Sequence, residues 1–210
     1  MVVKLIVADD EEVIRKGLAV LLASNEIRLV AEAATGNEAI SLTQRHKPDV
    51  LLLDVRMPDL DGLDALEQIR ENTPATKVIM ISAYDNPSYV ARAVVLGAED
   101  FLLKDSPAEA YVAAIHRAVA GGESAADSLF SQIKATLHER SDPKADDVPL
   151  TRREYQVLRH LAYGLSNREI ALSLNISIET VKEHVQKVLR KLDMSCRTGA
   201  AIWLVKRWLA

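Results

Sequence analysis

The sequence predicts an α/β domain built on a five-stranded, doubly wound parallel sheet, followed by a second, smaller all-α domain. Three observations carry this. Short β-branched and aliphatic runs alternate five times with helix-length stretches over residues 1–120, which is the pattern of a parallel sheet covered by helices on both faces. From Pro149 onward no strand pattern survives, and helical periodicity takes over. Charge divides at the same place: residues 1–148 hold 15 Lys and Arg against 25 Asp and Glu, net −10, whereas residues 149–210 hold 11 against 5, net +6.

The strand-like runs are Val2–Ala8, Ile27–Ala33, Val50–Asp54, Lys77–Ser82 and Asp100–Lys104, each followed by a stretch long enough for a crossover helix. Right-handed crossovers leave few topologies open, and the first domain is expected to span residues 1–120. The composition then turns polar, with Gly121-Gly122, Asp142-Pro143 and Asp146-Asp147 around one weakly amphipathic stretch, Ala126–His138. Residues 121–148 read as a linker. Four helical segments follow, Arg152–Tyr163, Asn167–Leu174, Glu179–Leu192 and Thr198–Leu209, and make residues 149–210 a small helical bundle.

Bulk properties narrow the function classes. With 49% hydrophobic and 27% charged residues over 210 positions, the chain has an ordinary globular composition. Its longest apolar stretches, such as Leu18–Ala23, fall far short of the roughly 20 residues a membrane span needs. The apolar opening, Met1–Ala8, runs straight into Asp9-Asp10-Glu11-Glu12 without a basic leader or a small-residue cleavage site. A cytoplasmic location and no membrane partner are expected. The single Cys196 forms neither an internal disulfide nor a CxxC pair, and five histidines show no ligand spacing. The basic C-terminal segment is the candidate for a polyanionic partner, with a merely solvated basic bundle as the alternative.

In a parallel α/β sheet, ligands bind outside the carboxyl ends of the strands. The first strand-like run ends in Asp9-Asp10, the third in Asp54, the fourth in Ser82 and the fifth in Lys104. Singly, each has an ordinary reading as turn, helix cap or solvated charge; jointly, they place three carboxylates, a hydroxyl and an ammonium in one crevice. A divalent cation is the simplest relief for the repulsion among the carboxylates. Hard oxygen ligands suit Mg2+, which usually takes one or two carboxylates and leaves Asp54 free as nucleophile toward a phosphoryl group. Lys104 then neutralises phosphoryl oxygens as a point charge and Ser82 hydrogen-bonds one of them.

Val7-Ala8-Asp9-Asp10-Glu11, Leu53-Asp54-Val55-Arg56-Met57-Pro58-Asp59-Leu60-Asp61-Gly62, Ser82-Ala83 and Phe101-Leu102-Leu103-Lys104 resemble the signatures of bacterial response-regulator receivers. The resemblance implies a flavodoxin-like receiver whose Asp54 accepts phosphate from a sensor histidine kinase. It further implies Mg2+ on Asp10, Asp54 and the backbone carbonyl of Arg56, with Asp9 assisting. Ser82 and Phe101 occupy the switch positions, where the hydroxyl moves toward the phosphate and the ring turns inward; a core role alone would equally explain the aromatic. Many receivers place proline after the lysine, where this chain has Asp105.

In the second domain Ser177 precedes a helix whose Ile178, Val181, Val185, Val188, Leu189 and Leu192 form one apolar stripe, a core face. The opposite face carries Glu179, Lys182, Glu183, Gln186, Lys187 and Arg190, long enough to reach base edges or phosphates. Leu150-Thr151-Arg152-Arg153-Glu154, Gly164-Leu165-Ser166-Asn167-Arg168-Glu169-Ile170-Ala171 and Thr180-Val181-Lys182-Glu183-His184-Val185 resemble the LuxR-type helix-turn-helix, so that the whole chain resembles the NarL/FixJ class. The resemblance implies double-stranded DNA as partner. Lys182, Glu183 and Gln186 are expected at base edges, and Asn167, Arg168, Thr180, Lys187 and Arg190 on the phosphate backbone. Glu183 either accepts from cytosine or repels wrong sites, and His184 is expected to be packed or backbone-bonded. The last helix, with Ala200, Ala201, Ile202, Trp203, Leu204 and Trp208, serves either a homodimer contact or burial within the bundle.

The expected function is a two-component response regulator, in which phosphorylation of Asp54 relieves a restraint of the acidic domain on the basic one. Two rivals are weighed. An aspartyl-nucleophile phosphatase needs a second acid two residues after the nucleophile, where Arg56 stands, so no enzyme is expected. An output domain that binds protein rather than DNA is the other.

Overall fold

Near-continuous apolar runs build the first unit around a single parallel sheet. Its strands are β1 (Val3–Ala8), β2 (Ile27–Ala33), β3 (Val50–Asp54), β4 (Lys77–Ser82) and β5 (Asp100–Leu103), in the order β2-β1-β3-β4-β5. The crossovers are α1 (Glu12–Leu21), α2 (Gly36–His46), α3 (Gly62–Asn72) and α4 (Pro87–Val95), and α5 (Ala108–Ala120) closes the unit. The computed structural model describes residues 2–138 and 148–208. It divides into two units, Met1–Ser131 and Gln132–Ala210.

Every residue of central β3 is buried, as expected of a strand paired on both sides and covered on both faces. Successive side chains point to opposite faces. Val7, Val50, Leu52, Ile79 and Ile81 meet Leu18 and Leu22 near α1 and Tyr111, Ala114, Ile115 and Ala118 of α5. Ile6, Leu51, Leu53, Val78 and Met80 face the other way, toward the layer of α2, α3 and α4 with its buried Ala39, Leu63, Leu66, Ile69 and Val90. The predicted α/β class is therefore observed, with strand limits within one residue. Lys104 falls outside β5, yet its N–H still donates to Ser82 O at 2.8 Å, which keeps it at the strand end.

One helix lies inside the segment read as a linker: α6 (Leu129–His138). Its Phe130, Ile133 and Leu137 are buried, at the spacing of one helical stripe. It starts later than Ala126 because the Ser128 hydroxyl accepts from Ser131 N–H and donates to Ala125 O. The Asp142-Pro143 and Asp146-Asp147 pairs and Leu209 lie outside the described residues.

The second unit continues with α7 (Arg152–Ala162), α8 (Asn167–Leu174), α9 (Ile178–Lys191) and α10 (Arg197–Trp208). Thr151 with Glu154 and Ser166 with Glu169 form capping boxes that fix where α7 and α8 begin. Glu154 also takes Lys191 at 2.6 Å, tying α7 to the end of α9. Asn175 ends α8 in the left-handed region at φ 50°, and Ser177 caps α9 two residues later. Leu150, Leu158, Val188, Leu192, Ala200 and Leu204 form the core. Ile178, assigned to the core stripe by periodicity, is instead 43% exposed: as the first helical residue it precedes the turn that packs. Buried Arg159 donates to Thr136 O at 3.0 Å, which joins α7 to α6.

His160 is fully buried, with Nδ1 at 2.7 Å from Gln156 O and Nε2 at 2.8 Å from Ser173 Oγ, and it joins α7 to α8. Burial, outweighing the Gln156 contact, lowers its pKa to about 4. The fold thus holds a neutral ring that the unfolded chain protonates below about 6.5, and stability is lost as pH falls from there toward 4, by about 3 kcal/mol in full. Both tryptophans, Trp203 and Trp208, belong to this unit. Urea unfolding of the full chain followed by tryptophan fluorescence is therefore expected to show a lower midpoint at pH 5 than at pH 7.5, a difference that His160→Gln reduces.

Candidate functional site

Strand register brings the acidic residues together. Ala8 pairs with Leu53, Asp54 with Ile81 and Ser82 with Leu103, so Asp9, Asp54, Ser82 and Lys104 end their strands in one layer. One oxygen each from Asp9, Asp10 and Asp54 lies within 4.8 Å of the others. Asp9 is inaccessible and Asp54 4% exposed, whereas Asp10 is exposed. Lys104 Nζ sits 2.8 Å from Asp9 Oδ2 and 3.2 Å from Asp54 Oδ2. Gly62 is obligatory here, because a Cβ on it would overlap the Asp54 carbonyl oxygen.

The side chains of Ser82 and Arg56 make their hydrogen bonds outside the carboxylate cluster. The buried Ser82 hydroxyl donates to Tyr84 O and accepts from Tyr84 N–H, both at 3.1 Å. Phe101 is buried. The Arg56 side chain leaves the crevice, donating to the Tyr89 hydroxyl at 2.7 and 3.2 Å, while its backbone N–H faces Asp54. Sequence reasoning missed Glu11, whose Oε1 lies 3.2 Å from Lys104 Nζ. Its only signal was membership of the Asp9–Glu12 acidic run, which reads equally well as a helix start.

Burial first, and then the charge of Asp9, push the Asp54 carboxyl up to about 6; Lys104 and the Arg56 N–H pull the other way. Burial opposes the charge on Lys104, but Asp9 and Asp54 outweigh it and hold the ammonium above the ordinary lysine range.

In the second unit, α9 exposes Lys182, Glu183, Gln186, Lys187 and Arg190 along one side, and Arg168 of α8 is exposed as well. Thr180 and Asn167 are half-buried at the helix starts. The Thr180 N–H and hydroxyl both engage Ser177 Oγ. Lys182 pairs with Glu179 at 3.1 Å on the surface, a contact weak enough to exchange for another anion. His184 is half-buried and its Nδ1 meets no hydrogen-bond partner. A helix after a tight turn, with an exposed polar face, has the geometry of a helix-turn-helix reader.

Residues 5–116 match the response regulator receiver domain, and residues 148–204 match the bacterial regulatory proteins of the luxR family. The chain is a response regulator with a luxR-family output domain. This response regulator is 39% identical over 206 residues to the uncharacterized transcriptional regulatory protein YhcZ of Bacillus subtilis, covering 97% of this chain and 95% of the relative. It is 35% identical over 206 residues to the response regulator protein VraR of Staphylococcus aureus, covering 97% and 96%. The solved receiver domain of the putative response regulator NarL from Mycobacterium tuberculosis matches with a TM-score of 0.55 at 39% identity, over 57% of this chain and 98% of that one. The response regulator ChrA of a heme-sensing two component system matches with a TM-score of 0.54 at 30% identity, over 100% and 99%.

The response regulator is accordingly a DNA-binding two-component transcriptional regulator, and the choice between DNA and protein as output partner falls to DNA. Its receiver implies a histidine kinase partner. The family is one of transcriptional regulators rather than classical enzymes. Receivers bind Mg2+ at an acidic pocket, and the oxygen-only set of Asp9, Asp10 and Asp54 suits that hard cation. Among the described residues no helix is long and apolar enough to cross a membrane.

A raised carboxyl pKa means that the fold favours protonated Asp54. That contribution is present below the ordinary 3.8 and is lost as pH rises through about 6, so ionised Asp54 is a cost at neutral pH. In calorimetry at pH 7.5 with EDTA, Asp54→Asn is expected to stabilise the receiver by about 1 kcal/mol after allowance for solvent screening, and the gain should shrink at pH 5. Gly62→Ala is expected to lower the receiver's melting temperature sharply at either pH.

Proposed function

We propose that Asp54 is the phosphoacceptor, and the observation that carries this is the convergence of Asp9, Asp10, Asp54 and Lys104 at the carboxyl edge of the sheet. One Asp54 carboxylate oxygen bonds to phosphorus while the bond from phosphorus to its donor breaks, and the electron pair of that bond leaves with the donor. Asp9, Asp10, Asp54 and the Arg56 backbone carbonyl hold Mg2+, which when bound neutralises charge on the phosphoryl oxygens. Lys104 supplies a second positive charge from just beyond the end of β5. The Ser82 hydroxyl turns from Tyr84 to a phosphoryl oxygen, and Phe101 moves inward behind it.

The output follows from the second unit. Lys182, Glu183 and Gln186 read base edges in the major groove, while Asn167, Arg168, Thr180, Lys187 and Arg190 set the register on phosphates. Residues 1–120 serve as receiver, 121–148 as connector and 149–210 as DNA-binding domain, all in the cytoplasm. Phosphorylation shifts the population toward a homodimer that reads two half-sites. The half-exposed Ile202 on α10 supports a pairing face there.

Incubation with a small phosphodonor and Mg2+ is expected to label the wild type and not Asp54→Asn; equal labelling would overturn the assignment. On a duplex selected from random sequences by the phosphorylated protein, Lys182→Ala should cost about 1–3 kcal/mol and relax preference at one position. Arg190→Ala should instead weaken all sequences alike and reduce the salt slope by about 1.

A further inference from the structure

An ammonium has three N–H donors, and three carboxylates already face Lys104: Asp9 Oδ2 at 2.8 Å, Asp54 Oδ2 at 3.2 Å and Glu11 Oε1 at 3.2 Å. A phosphoryl group on Asp54 brings new acceptor oxygens to the same nearly buried nitrogen, where they compete with the contacts already there. The three differ in what release costs. Asp9 is inaccessible, and its other oxygen accepts the Glu11 N–H at 2.9 Å. Asp54 is the reacting residue itself. The Glu11 side chain is 61% exposed, and water replaces its partner cheaply.

We infer that Glu11 is the exchangeable partner of Lys104, holding the ammonium in the unphosphorylated receiver and yielding its place to a phosphoryl oxygen, and so limiting how fast Asp54 is charged. The inference rests on the reading of Asp54 as acceptor. The exchange leaves the backbone in place: the Glu11 carbonyl accepts from Ile14 and Arg15 N–H, and its N–H stays on Asp9. Glu11 is the N-cap of α1 but makes no side-chain capping bond, so its carboxylate contributes no cap to the helix. The nearby Arg15 guanidinium donates to the Asp9 and Asp10 carbonyls and does not compete for Glu11. Glu11 is thus a positioning residue acting through Lys104.

The test is phosphate uptake from acetyl phosphate by the full-length protein with Mg2+, followed by decay of the phosphorylated form after donor removal. Glu11→Gln should take up phosphate about two- to fivefold faster, the upper part of what one such exposed ion pair is worth. Its decay should stay within about twofold of wild type, because Glu11 has already left Lys104 in the product. Glu12→Gln removes a neighbouring exposed charge without touching Lys104 and should match wild type. Glu11→Asp, too short for the contact but still charged, should also be faster than wild type. Unchanged or slower uptake by Glu11→Gln, an equal gain in Glu12→Gln, or a Glu11→Asp as slow as wild type would each overturn the exchange. Labelling of Asp54→Asn would overturn the acceptor assignment instead, so the two failures are distinguishable.

Discussion

Like charges held together at the carboxyl edge of a buried sheet are the constraint around which this receiver is organised. Asp9 and Asp54 are both almost wholly excluded from water, and the charge of Asp9 opposes ionisation of Asp54. Lys104, arriving from the far side of β4, is the counter-charge that makes the arrangement tolerable. The stability that offsets this strain comes from elsewhere, from a sheet whose central strand is buried on both faces and from helices that cover it with aliphatic side chains. A site whose cost at rest is repulsion among carboxylates is one in which an incoming cation finds its electrostatic work partly done.

The parts of this arrangement that follow from chain periodicity were legible in the sequence. A strand's end is visible where an apolar run stops, and in a parallel sheet all such ends share one edge, so Asp9, Asp54, Ser82 and Lys104 could be grouped before any geometry was known. Glu11 was not legible, because its contact with Lys104 joins positions 93 apart and depends on a side-chain direction. The need for Gly62 was equally hidden, since it comes from the close approach of α3 to the Asp54 carbonyl. Ile178 fits the apolar stripe by spacing, yet spacing does not say that the first residue of a helix lies outside the packed turn. In α6, three buried side chains sit in a segment whose flanks are polar enough to resemble connector throughout.

The second unit relies on hydrogen bonds at helix ends rather than on a large core. Glu154 closes its capping box and holds Lys191, and His160 spans α7 and α8 with a ring that stays neutral. Such contacts fix the angles between short helices that could not specify them by apolar area alone. The exposed side of α9 is in this way presented on a frame whose helices are tied to one another at their ends.

The Ser82 hydroxyl, as donor and acceptor, closes a small loop onto both backbone groups of Tyr84. Whatever draws that oxygen away breaks two bonds at a stroke. The segment it anchors leads within two residues to Asn86, the side chain that caps the first turn of α4. Loss of that one hydroxyl's contacts would thus loosen the chain two residues before the first turn of α4, and the loop serves as a latch on the entry to that helix.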